Sequence, residues 1–188
     1  METEPTLADK LRATLQWWRV PIIAALVAAG ILVIRQETVW LWAGMGITLV
    51  GEAIQLWSAS HLRKDELLVT SGPYSHVRNP MYFGRFFVGL GFTVMIQIPV
   101  LLAAYVVLFV LYAHARVGRE EARLHSIFGD DYARYCSEVP RWLPRVRSYS
   151  QAAAQRCQWS RIAANHEYLN LLVVLVVFAI ILVRIRCF

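Results

Sequence analysis

The chain has 188 residues, 57% of them from the AVILMFWYC set and 17% charged, where about 25% charged is usual in soluble domains. This composition excludes a conventional water-soluble globule and requires the 19 Lys and Arg residues to gather outside long uncharged stretches. The net charge of +6 is carried by arginine, Lys10 and Lys64 being the only lysines, and in so apolar a chain it points to a membrane surface and not to nucleic acid. Cys136, Cys157 and Cys187 form no C-x-x-C pair and are odd in number, so neither a disulfide framework nor a metal site is expected.

A bilayer core of about 30 Å takes roughly 17 to 25 apolar residues per helix. In chain order, the first candidate runs from Val20 to Ile34, between Arg19 and Arg35, with Trp17 and Trp18 at the boundary. The second runs from Thr38 to about Ser60 and holds one acid, Glu52. The third, Phe86 to Ala115, is too long for one span and short for two, and Gln97-Ile98-Pro99 interrupts it. Proline costs a helix interior roughly 3 kcal/mol, whereas Pro80 and Pro99 each suit a first helical turn. The stretch therefore predicts a helical hairpin, about Pro80 to Ile96 and Pro99 to Ala115, whose ends return to one side. The last candidate is Tyr168 to Val183.

With five spans and an inner N-terminus, all of the 19 basic residues except Arg35, Arg184 and Arg186 fall on the inner side, in agreement with the positive-inside rule. The acids Glu2, Glu4 and Asp9 near the start speak against a cleaved signal peptide. The expected fold is all-α, an integral membrane helical bundle of about five transmembrane helices with a cytosolic region. It divides into residues 1–60 (two spans), 61–147 (a core) and 148–188 (a connection and the last span).

Three constellations face the inner side. The run Ser71 to Gly84, SGPYSHVRNPMYFG, combines a Gly72-Pro73 turn with a proline-started helix whose unpaired N–H groups suit an anion; the plainer reading is a loop that caps a helix. On a helix from about Ala113 to Phe128, Glu120 and Glu121 fall on the face of Val117, Leu124 and Phe128. Acids there need a cation, either a ligand's amino or sulfonium group or an arginine such as Arg78 or Arg141. In FGDDYARYCSEVPRWLP, Phe128 to Pro144, Tyr132 and Tyr135 share a helical face and Arg141-Trp142 follow; such aromatics are also typical of an interfacial belt. Glu52, in line with Thr48 and Gln55 on the second span, should point into the bundle.

Together, GPYSHVRNPMYFG, the hairpin-sized stretch, Glu120-Glu121 and FGDDYARYCSEVP resemble the isoprenylcysteine carboxyl methyltransferase family and the related phospholipid methyltransferases, over about Leu67 to Pro144. These are integral membrane enzymes that use S-adenosylmethionine. The resemblance implies that Asn79, Pro80, Tyr82, Gly84, Glu120, Glu121, Tyr132 and Tyr135 bind the cofactor, with Glu52 and Trp142 on the substrate side. The family's Arg-His-Pro-x-Tyr reads here Arg78-Asn79-Pro80-Met81-Tyr82, and Asn79 cannot carry the charge a histidine can.

The expected reaction is methyl transfer to a carboxylate of a lipid-like, isoprenylcysteine-type substrate, with Arg78 and Arg141 orienting that carboxylate. The alternatives are N-methylation of a phospholipid or other lipid amine, and a non-catalytic membrane binding protein. No G-x-G-x-x-G turn follows a strand signal, which argues against a soluble Rossmann-type methyltransferase.

Overall fold

The computed structural model describes residues 28–34, 38–63, 67–152, 157–165 and 167–187. Every regular element among the described residues is helical. After a helical stretch at 28–33, the elements are α1 (Val39–His61), a 3-10 turn (Gly72–Ser75), α2 (Pro80–Ile96), α3 (Pro99–Glu138), α4 (Trp159–Ala164) and α5 (Glu167–Cys187). By length and composition α1, α3 and α5 can each cross a membrane, while α2 is an apolar helix of 17 residues. The first expected span, Val20 to Ile34, lies mostly outside the described residues.

The prolines set the hairpin. Pro80 opens α2, Gln97 ends it in the left-handed region at φ 59°, and Pro99 opens α3. Tyr105 closes the hairpin by donating its hydroxyl to the Phe86 carbonyl at 2.9 Å. One expectation needs correcting. The span ending near Ala115 and the helix carrying Glu120 are one element of 40 residues, because Gly118 alone does not break a helix and no proline intervenes. The break comes later, at Gly129, whose φ of 50° and ψ of −124° suit glycine alone.

Helices α1 and α2 meet backbone to backbone through glycines. A Cβ on Gly91 would lie 2.4 Å from the Gly44 carbonyl oxygen, and one on Gly84 would lie 2.8 Å from that of Gly51. Small residues allow such approach, and dispersion contacts then hold the pair where lipid offers no hydrophobic gain. At the hairpin end of the bundle, Leu41, Met45 and Met95 pack with Val174, Phe178 and Ile181 of α5. Arg184 binds the carbonyls of Ile31, Leu32 and Ile34 there, satisfying open carbonyls at the end of the 28–33 stretch. At the opposite end, Asn165 donates to the carbonyls of Ala59 (3.3 Å) and Leu62 (3.4 Å), tying the start of α5 to the close of α1. This second end carries the cavity.

Candidate active site

The loop between α1 and α2 is held from outside by residues 139–150, which run beside it. Arg78 N–H donates to the Pro140 carbonyl (2.9 Å), Arg145 N–H to that of His76 (3.1 Å) and Tyr149 N–H to that of Ser75 (2.9 Å). His76 Nδ1 lies 2.9 Å from the Arg145 carbonyl; a carbonyl only accepts, so this nitrogen carries the proton. From the other side, the Gly129 break turns the end of α3 so that Tyr132, Tyr135 and Val139 pack with Tyr149 in a buried cluster.

A cavity of about 380 Å³ opens between the start of α2, the middle of α3, the 67–69 stretch and the junction before α5. That volume is within the range of small-molecule sites. Of the residues expected at the site, Arg78, Asn79, Pro80, Tyr82, Glu120, Tyr132 and Tyr135 line it. Leu62, Leu67, Leu68, Met81, Leu124 and Phe128 give it an apolar side.

The two adjacent glutamates have different surroundings. Glu121 is buried and enclosed by its own protein: Arg141 forms a hydrogen-bonded ion pair with it, Arg78 Nη1 lies 3.3 Å away, and Asn79 Nδ2 donates to it at 3.4 Å. Its hydrogen bond raises the Arg141 pKa further above the usual arginine value. Arg78 donates in addition to the Cys136 sulfur at 2.9 Å. Glu120 is half-buried on the cavity wall. Asn79 spends its amide on Glu121 and on the Arg141 carbonyl (3.3 Å) and forms no side-chain cap for α2.

Five expected site residues lie off the cavity lining. Gly84 is buried against Gly51 and Gln55, Glu121 and Arg141 occupy the ion cluster, and Trp142 is half-buried in the 139–150 stretch. Glu52 is 2% exposed, accepts from Gln55 Nε2 at 3.3 Å and also stands apart from the lining. The structure adds residues that sequence reading passed over: Arg63, Tyr74, Arg85, Arg116, Arg123, Asn165 and Glu167. Burial pushes the Tyr74 hydroxyl well above the ordinary tyrosine range, against the pull of nearby Arg85. A signal for Arg85 and Glu167 was present, since each is the last charge before a long apolar run.

A model of the phospholipid methyltransferase family matches residues 24–131. The chain belongs to that family. Within it, the chain is 35% identical over 96 residues to a protein-S-isoprenylcysteine O-methyltransferase of Schizosaccharomyces pombe, covering 51% of this chain and 41% of that one. It is 35% identical over 80 residues to the protein of the same name from Homo sapiens, covering 43% and 28%. It is also 31% identical over 139 residues to the nickel-cobalt-cadmium resistance protein NccN of Alcaligenes xylosoxydans xylosoxydans, covering 69% and 63%. The chain thus spans less than half the length of the isoprenylcysteine O-methyltransferases it matches. The family match ends before Tyr132, so the last aromatic wall and all of α4 and α5 lie beyond it.

Proposed function

We propose that this protein is a membrane methyltransferase that uses S-adenosylmethionine to O-methylate a carboxylate on a lipid-like, isoprenylcysteine-type substrate, with its site facing the cytosol. The observation that carries the reading is the charge of the cavity. Five arginines, Arg63, Arg78, Arg85, Arg116 and Arg123, line it with only two acids, Glu120 and Glu167, and this excess favours an anionic acceptor. The names of the relatives support the same acceptor class, and the arginine-rich end supports a cytosolic orientation.

The residues present suit the cofactor. Glu120 offers a carboxylate to its ammonium group, while Phe128, Tyr132 and Leu124 offer an aromatic and apolar surface to its purine. When bound, S-adenosylmethionine supplies a methyl group on a positively charged sulfur. The protein's task is to hold the acceptor oxygen in line with that methyl and to keep water away. A carboxylate is ionised at pH 7 and needs no general base. The apolar side of the cavity would receive the first part of the lipid chain.

Methylation of a lipid amine is the second reading, favoured by the two carboxylates on the lining, Glu120 and Glu167. An amine must first lose a proton, so its rate should climb towards the amine pKa of about 10, whereas carboxylate methylation should stay level above about pH 6. Titration of the purified protein with S-adenosylhomocysteine tests both enzymatic readings. Absence of binding at high micromolar ligand would leave only the non-catalytic membrane protein.

A further inference from the structure

The cavity and the ion cluster beside it hold several arginines, and their partners separate them. Arg78 and Arg141 are turned to Glu121, and Arg78 also to Cys136. Arg85 stands apart from that cluster. It lies over the Tyr82 ring, 5.4 Å from its centroid, with Nη2 4.0 Å from the Glu167 carboxylate, and 44% of its side chain is exposed on the cavity lining. Glu167 is itself buried and fixed by Asn170, which donates to its other oxygen at 2.5 Å. A guanidinium has five N–H donors in a planar fork. One edge turned to Glu167 leaves other donors for a second carboxylate, and the ring beneath limits the fork's orientation. Arg85 is also the last charge before the apolar run of the hairpin, the depth at which the head of a lipid whose tail is in the bilayer would lie.

We propose that Arg85, braced by Glu167 and stacked on Tyr82, holds the anionic head of the methyl acceptor, which makes the start of α5 a working part of the site. This rests on the carboxylate reading above. Arg85 is a binding residue; Glu167 is a positioning residue acting through it.

The test is direct binding to the full-length purified protein of two probes, N-acetyl-S-farnesyl-cysteine and its methyl ester, which differ in the carboxylate charge. In Arg85→Gln the free acid should bind about tenfold more weakly, the loss of one charge-assisted pair, and the ester as in the wild type. Arg85→Lys, which keeps the charge and loses the fork, should fall between the two. Glu167→Gln should weaken acid binding in the same selective way but less. Equal binding of the acid by Arg85→Gln and wild type would overturn the proposal, as would equal weakening of acid and ester, the mark of a structural role. Should Arg85→Gln fail to fold, a Lys variant that binds the acid as wild type does would overturn the requirement for the fork. Lack of S-adenosylhomocysteine binding by the wild type would remove the methyltransferase reading while leaving acid-over-ester selectivity to decide the role of Arg85.

Discussion

Tyr135, on the far side of the Gly129 break, donates its hydroxyl to the backbone carbonyl of Tyr74 at 2.6 Å. This bond joins the end of α3 to the loop that forms the opposite wall of the cavity. Tyr135→Phe leaves that carbonyl without its buried donor and should lower stability by about 1–3 kcal/mol. Thermal unfolding in detergent would show it as a lower Tm; an unaltered Tm would mean that the edge-to-face packing of Tyr135 against Tyr149, centroids 5.4 Å apart, carries the junction alone.

The adjacent glutamates should respond in opposite ways. Glu121→Gln leaves Arg78 and Arg141 without their counter-charge and should cost about 1–3 kcal/mol of stability. Glu120→Gln should change stability by less than about 0.5 kcal/mol while weakening S-adenosylhomocysteine binding several-fold. Melting curves and calorimetric titrations of the two variants check this division, and it fails if Glu120→Gln binds the ligand as the wild type does.

Gly91→Ala would bring a methyl group to 2.1 Å from Thr48 Oγ1 and 2.4 Å from the Gly44 carbonyl oxygen. Because backbone cannot move aside cheaply, α1 and α2 must separate, at a cost of about 1–3 kcal/mol. Gly118→Ala is the control: nothing lies within 4 Å of the added atom, and a helical alanine should gain about 0.5–1 kcal/mol there. The two Tm shifts should therefore differ in sign.

Tyr74 gives an alkaline prediction. Its folded-state pKa is raised, chiefly by burial, so the folded protein binds that proton more tightly than the unfolded chain does. The associated stability is complete below the unfolded value of about 10 and is lost as pH rises beyond it. Tyr74→Phe should reduce the fall in Tm at high pH, and parallel curves for variant and wild type would contradict this origin.

Pro80 and Pro99 made the hairpin readable because proline acts through its own ring and missing N–H, independently of distant contacts. The continuity of α3 was harder to read, since its composition changes from apolar to amphipathic without a change in backbone. Glu120 and Glu121 lie on one apolar arc of a helical wheel, but a wheel cannot contain Arg141, which the 139–150 stretch brings to only one of them. Gly84 sits inside the recognisable motif, yet its neighbour Gly51 belongs to another helix, so its packing role appears only once α1 and α2 are brought together. The Arg85 and Glu167 pairing has the same cause, a tertiary contact between segments remote in sequence.

From Pro99 to the Gly129 break, α3 is an uninterrupted rod of roughly 45 Å at 1.5 Å per residue, longer than the hydrocarbon core it enters. One rigid piece thus has its lower part among lipid tails and carries Glu120, Leu124 and Phe128 on its upper part. Membrane helices adjust their tilt to bilayer thickness, and any such adjustment is transmitted as leverage to those three side chains. The cavity wall on α3 should therefore respond to the thickness of the surrounding bilayer, and activity measured in thin and thick bilayers should differ even with the same dissolved substrates.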